Sequence, residues 1–175
     1  MIKEQIKSVI RDIPDFPKEG ILFKDITPIL KDPVLCDRMI DYMVDVIGND
    51  KPDAVVGIES RGFLFGMGLA QRLGVPFVPV RKVGKLPADT HKVSYELEYG
   101  SATLEIHKDA LKAGSKVLIH DDLLATGGSA AAASLLVEMC NASILSYLFL
   151  ISLDSLNGRA RLEDYSNKLI SIVNY

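Results

Sequence analysis

Residues 115–131 read Ser-Lys-Val-Leu-Ile-His-Asp-Asp-Leu-Leu-Ala-Thr-Gly-Gly-Ser-Ala-Ala, and no other stretch restricts the possible folds as tightly. Val117, Leu118 and Ile119 form an apolar run suited to a strand buried on both faces of a sheet. Two adjacent carboxylates, Asp121 and Asp122, follow at its C-terminal edge. The small residues Ala125, Thr126, Gly127, Gly128 and Ser129 then make a loop that opens into an alanine-rich helix. Strand, glycine-containing loop and helix N-terminus together make an anion site, because unpaired N–H groups and the positive end of the helix dipole converge there. Gly127 and Gly128 admit a phosphate where a Cβ would clash. Carboxylates repel that phosphate, so Asp121 and Asp122 must serve a neutral part of the ligand or a metal. A sugar phosphate meets both demands, with its phosphate in the loop and its vicinal hydroxyls on the acids.

The loop lacks the lysine of a GxxxxGK[ST] phosphate loop and the spacing of GxGxxG. A chain of 175 residues, 48% hydrophobic and 25% charged, suits one globular domain with its own core. The net charge of −3 argues against general nucleic-acid binding, so phosphate affinity has to come from local basic residues and backbone dipoles. Cys36 and Cys140 are isolated thiols, which fits a reducing, cytoplasmic compartment. The opening Met-Ile-Lys-Glu-Gln-Ile-Lys carries charge where a signal peptide needs an apolar core, and no apolar run reaches the ~20 residues that span a bilayer. No membrane partner is therefore expected. His91, His107 and His120 show no metal-ligand spacing, and zinc is not indicated.

Periodicity along the chain predicts an α/β fold. Ile2, Ile6, Val9 and Ile10 share a helical face that ends by Pro14. Residues 14–30, punctuated by Pro14, Pro17, Gly20 and Pro28, read as irregular. Asp32-Pro33 starts a helix that runs to about Gly48. Residues 53–58 read as a strand, 62–73 as a helix closed by Gly74, and 75–80 as a strand. Residues 81–94 read as a mobile basic loop, borne by a hairpin that spans Tyr95 to Ile106 and breaks at Gly100. A strand at 116–120, a helix at 129–140 and a strand at 143–151 complete a βαβαβ pattern, which calls for a mainly parallel sheet flanked by helices. Such sheets bind ligands at the C-terminal ends of their strands. Three of those ends carry Glu59-Ser60-Arg61-Gly62, Arg81-Lys82-Val83-Gly84-Lys85, and the acid pair with its loop. Two basic segments converging on an anion loop imply a substrate with several phosphates.

The strand, acid pair and Thr/Gly/Ser loop resemble the phosphoribosyl-pyrophosphate (PRPP) signature of type I phosphoribosyltransferases. From Phe16 to about Leu162 the chain resembles the adenine phosphoribosyltransferases in particular. The motifs are Phe-Pro-Lys-Glu-Gly-Ile-Leu-Phe-Lys-Asp-Ile-Thr-Pro (16–28), Gly-Ile-Glu-Ser-Arg-Gly-Phe (57–63), Arg-Lys-Val-Gly-Lys-Leu-Pro (81–87), Tyr-Glu-Leu-Glu-Tyr-Gly (95–100) and Asp-Asp-Leu-Leu-Ala-Thr-Gly-Gly (121–128).

The resemblance implies a single domain over 1–175, with a helix and hood at 1–30, a flexible loop and hairpin at 81–106, and the PRPP motif at 115–131. It implies that Asp121 and Asp122 hold the ribose hydroxyls, and that Ala125 to Ser129 cradle the 5′-phosphate. Arg61, Arg81 and Lys85 would bind pyrophosphate, the latter two across the interface of a homodimer. A cis peptide is expected near Glu59-Ser60. Phe23 and Leu153 would cover the two faces of adenine, with backbone groups around Leu22 and Lys24 reading its edge. Mg²⁺, held mainly by substrate oxygens and water, would help neutralise the departing pyrophosphate. Glu98 is the candidate for proton transfer or charge stabilisation, with Tyr99 contacting phosphate beside it. The products would be AMP and pyrophosphate, as in purine salvage. Lys24 stands where the family commonly has Arg, which leaves room for a 6-oxopurine enzyme. The other alternative is a PRPP-sensing regulator, although no DNA-binding segment is evident. His120, where the family usually has an apolar residue, reads as a strand-end histidine bonded locally. Asn141 takes the place of a helix-ending Gly, a left-handed position that Asn tolerates.

Overall fold

The apolar stripe Ile2, Ile6, Val9 and Ile10 winds into helix α1 (Ile2–Val9), with Ile6 fully buried. The computed structural model describes residues 1–96 and 101–175. Beyond α1 the chain departs from the irregular segment expected at 14–30. Strand β1 (Arg11–Ile13) pairs antiparallel with β2 (Phe23–Asp25), placing Asp12 opposite Lys24. A 3-10 turn follows at Thr27–Lys31. Strands three residues long are too short for alternation to register, and the intervening prolines and glycine conceal the pairing. The Phe16-Pro17 peptide is cis. The Asp32 carboxylate accepts the Leu35 N–H at 3.0 Å, and this cap with Pro33 starts α2 (Pro33–Ile47).

The main sheet has seven strands. β3 (Ala54–Ile58) leads into α3 (Gly62–Leu73), and β4 (Phe77–Lys82) leads into the antiparallel pair β5 (Thr90–Glu96) and β6 (Ser101–His107). β7 (Lys116–Leu124), α4 (Gly128–Met139), β8 (Ser143–Ser152) and β9 (Leu169–Asn174) follow. The order is β5-β6-β4-β3-β7-β8-β9, parallel from β4 to β9, with β6 antiparallel to β4.

Two differences from the sequence reading move the site. β4 begins and ends two residues later, because Arg81 and Lys82 pair with Glu105 and Leu104 of β6. The loop expected at 81–94 shrinks to 83–89, because β4 takes Arg81 and Lys82 and the hairpin's first strand starts at Thr90 rather than Tyr95. β7 runs on to Leu124, so the acid pair lies within the strand rather than after it. Its extension follows β8, which pairs with it as far as Leu124 and Ser152. β9 was not foreseen, since its six residues, two buried, three intermediate and one exposed, show no alternation past the last motif.

The sheet divides two cores by simple alternation. Val56, Ile58, Ile119 and Phe149 face α4, while Val55, Leu118, Leu148 and Leu150 face α2 and α3. Ala130 to Ala133 are all buried, and their small side chains let α4 lie close to the sheet. On the other face, Cβ atoms at Gly57 and Gly66 would stand 2.4 and 2.8 Å from the Phe77 ring, so both positions leave a slot for it. Among the described residues, no helix is long and apolar enough to cross a membrane.

Candidate active site

A cleft of about 430 Å³ opens at the C-terminal ends of β3, β4 and β7. Its floor is the loop from Ala125 to Ser129, whose Gly127 has φ +80° and precedes the first turn of α4. A Cβ at Gly127 would meet the Gly158 carbonyl oxygen at 2.7 Å. A Cβ at Gly158 would meet the Ala125 carbonyl oxygen at 2.2 Å and the Gly127 nitrogen at 3.0 Å. The loop is thus backed by bare main chain from a segment some thirty residues away. Ala125, Thr126, Gly127, Gly128 and Ser129 all line the cleft. The Ser129 hydroxyl shares a 2.9 Å hydrogen bond with that of Tyr95 on β5.

Above the loop lie Asp121 and Asp122. The Asp122 N–H donates to Asp121 Oδ1 at 2.9 Å, and Arg61 Nε pairs with Asp122 Oδ2 at 2.8 Å. Burial raises the Asp122 pKa despite the opposing pull of Arg61. Burial, then the neighbouring Asp122 charge, raises that of Asp121 well above the ordinary carboxylate value. Carboxylates placed here suit donors such as hydroxyls, which would add hydrogen bonds to those from the Asp122 N–H and Arg61. Gly62 at the start of α3 abuts the same point, since its Cβ would lie 2.8 Å from the His120 carbonyl oxygen and 3.1 Å from Asp121 Oδ1.

The anionic end is framed by β3 and β4. The Glu59-Ser60 peptide is cis, as expected. Glu59 Oε2 accepts the Lys82 N–H at 2.9 Å and Arg81 Nε at 3.1 Å. Burial alone would raise the Glu59 pKa, but these bonds and the charges of Arg81 and Lys82 bring it below the ordinary value. Arg81 also donates to the Lys85 carbonyl at 3.2 Å, and the Lys85 N–H donates to Glu105 at 2.9 Å. Arg81 and Lys85 do not line this chain's cleft, whereas Lys82 does.

Next to Arg61 stands an apolar wall. The Arg61 guanidinium carbon lies 5.2 Å from the centre of the Phe23 ring, which meets Phe16 edge-on at 5.1 Å. Leu22 is 48% exposed on the same segment. The Lys24 side chain turns away from Phe23 and pairs with Asp12 at 2.7 Å. Leu153 follows β8 and donates its N–H to the Leu124 carbonyl at 2.9 Å. Glu98 and Tyr99 lie outside the described residues.

The phosphoribosyl transferase domain model matches residues 26–173. The adenine phosphoribosyltransferase of Synechococcus sp. is 55% identical over 170 residues, which is 97% of this chain and 98% of that protein. The chain belongs to the adenine phosphoribosyltransferase family. The crystal structure of the Thermoanaerobacter pseudethanolicus adenine phosphoribosyltransferase superposes with a TM-score of 0.95 at 51% identity, covering 99% of each chain. The Saccharomyces cerevisiae adenine phosphoribosyltransferase, complexed with an imino-altritol bisphosphate and adenine, gives a TM-score of 0.91 at 47% identity over 98% of each chain.

Within this family frame, four residues around the cleft escaped the sequence reading. Lys82 shares the face of β4 with Val78 and Val80, a parity that could have separated it from Arg81. Glu59 and Tyr95 stood inside quoted motifs but had no role assigned. Gly158 carried no signal at all, being one glycine in an irregular stretch. His120 is fully buried, with Nδ1 bonded to the Leu148 carbonyl at 2.9 Å and Nε2 without a partner.

Proposed function

We propose that this enzyme transfers phosphoribose from PRPP to adenine, giving AMP and pyrophosphate. The observation that carries the reading is the continuity of Asp122, Arg61 and Phe23, which joins a polyanion cleft to an aromatic wall. Asp121 and Asp122 accept the ribose hydroxyls, and Ala125 to Ser129 bind the 5′-phosphate through N–H groups and the helix dipole. Arg61 and Lys82 hold pyrophosphate. Phe23 and Leu153 flank the base, and main-chain groups near Leu22 and Lys24 read its edge. As the C1′–O bond to pyrophosphate breaks, the electron pair leaves with the pyrophosphate. Adenine N9 forms the new bond to C1′, and its proton is lost. Glu98 is the residue assigned to that proton or to the charge it leaves, with Tyr99 closing on phosphate.

Among the described residues, no group of three or more His, Cys, Asp or Glu gathers to cage a metal. Asp121 and Asp122 nonetheless bring oxygen atoms, the donors Mg²⁺ prefers, to the ribose end of the cleft. They would retain a substrate-bound Mg²⁺ through hydroxyls and water. Bound there, the ion would neutralise charge developing on the pyrophosphate.

The Lys24 ammonium is committed to Asp12, so it is poorly placed to donate to O6 of a 6-oxopurine. This favours adenine. A homodimer would account for Arg81 and Lys85, which do not line their own cleft, and for exposed Leu64 and Met67 on α3. A PRPP-dependent assay with adenine, hypoxanthine and guanine tests the reading. Adenine turnover should exceed the others by about a hundredfold or more, since mismatched buried donors and acceptors penalise the wrong base. The same preparation should sediment at twice the chain mass while active. Equal turnover of hypoxanthine or guanine, or full activity as a monomer, would overturn the respective assignment.

A further inference from the structure

Several contacts behind the aromatic wall meet at one ring. Lys24 Nζ stands 3.7 Å from the centre of the Tyr175 ring, and Lys7 Nζ of α1 stands 5.1 Å from it. Lys24 is only 6% exposed, so its own ammonium is desolvated between this ring and the half-exposed Asp12 carboxylate. An aromatic face attracts a cation more strongly there than at a wet surface. Lys24 is the middle residue of β2 and immediately follows Phe23. The β1–β2 ribbon has just three paired positions, so its placement depends on what grips it from outside.

The main chain of the same tyrosine holds the turn that carries Leu153, the residue assigned above to the other face of the base. Its N–H donates to the Ser152 carbonyl and its carbonyl accepts the Asp154 N–H, both at 2.9 Å. These two bonds bracket Leu153. Tyr175 thus binds the strand carrying Phe23 through its ring, and the turn carrying Leu153 through its backbone.

We propose that Tyr175 is a positioning residue that sets the gap between Phe23 and Leu153 to the thickness of one planar heterocycle. The inference rests on the assignment of those two residues to the base. Tyr175 makes no substrate contact in this scheme. It acts through the Lys24 side chain on one wall and through its own peptide groups on the other, and a side-chain substitution removes only the first.

Steady-state kinetics of the full chain, with KM for adenine and for PRPP measured separately and a thermal melt of each variant, tests this role. Tyr175→Leu should raise KM for adenine about tenfold while KM for PRPP stays within about twofold. Tyr175→Phe, which keeps the ring, should restore the adenine value. Lys24→Met should reproduce the adenine-selective defect, and the Tyr175→Leu/Lys24→Met double variant should add nothing further. An unchanged adenine KM in Tyr175→Leu, equal rises in both KM values, or additive losses would overturn the role. So would a Tyr175→Phe variant as impaired as Tyr175→Leu. If Tyr175→Leu fails to fold, Lys24→Met decides by the same criteria. Absence of adenine turnover in the unsubstituted protein would overturn the activity itself and this role with it. Normal turnover with any of the adverse variant results removes the role alone.

Discussion

His120 sits directly before the acid pair, yet its ring takes no part in the cleft. It points to the α3 side of the sheet, where a Cβ on Gly66 would lie 3.2 Å from its Cδ2. Burial brings its pKa down to about 4, against which the bond to the Leu148 carbonyl is a weaker, opposing influence. The folded protein therefore keeps this ring neutral, whereas the unfolded chain takes up a proton near the ordinary value of 6.5. Between those two pH values the unfolded state binds more protons at this ring, so its contribution to stability rises with pH across that window and is flat above it, while the raised carboxyls of Asp121 and Asp122 contribute in the opposite sense. The difference corresponds to about 3 kcal/mol of unfolding free energy lost on acidification. Urea unfolding at several pH values between 4 and 7 should show this slope, and His120→Leu should flatten it. An unchanged slope in the variant would mean that other groups carry the acid sensitivity.

At the scale of elements, the loop from Ala125 to Ser129 depends on a partner that the sequence does not advertise. Gly158→Ala would drive a methyl into the Ala125 carbonyl and force the loop to shift. Displacements of about 1 Å in a binding constellation can cost on the order of a hundredfold in rate. KM for PRPP should rise, or kcat fall, by at least about tenfold, with KM for adenine little altered. Unaltered PRPP kinetics would show that the backing segment can move without disturbing the loop. Elements with a strong local signature were legible in advance. The helix from Gly62 to Leu73 ends at Gly74 in the left-handed conformation, and α2 starts at its Asp-Pro cap, both where the residues indicated. β1, β2 and β9 were not legible, because pairing between distant short segments leaves no local period. The same limit applied to the site. Motifs identified the loop and acids, but the direction of the Lys24 side chain, the turning of Lys82 into the cleft and the approach of Gly158 are decided by tertiary packing.

Across the whole molecule, the cleft draws on contiguous and dispersed sequence in different ways. Apart from Phe149, residues between Glu59 and Ala130 line the cleft, whereas the aromatic wall comes from Phe16 and Phe23 and is backed by Tyr175 through Lys24. The sheet also distributes its pairing unevenly. β5 and β6 share seven paired positions with each other, while β6 meets β4 at two, Arg81 with Glu105 and Lys82 with Leu104, continued by the Val83 N–H donating to the Thr103 carbonyl at 3.0 Å. Glu105, 1% exposed, reinforces that root by accepting the Lys85 and Leu86 N–H groups at 2.9 Å. In mechanical language the pair is a propped cantilever, clamped to the sheet over a short base and supported where Val93 and Tyr95 pack against the α4 core. Its amide protons should therefore exchange with deuterium as one cooperative unit, at a lower opening free energy than the doubly flanked strands β3 and β7. Glu105→Gln should lower that free energy further, while exchange at Val56 and Ile119 stays at the global rate.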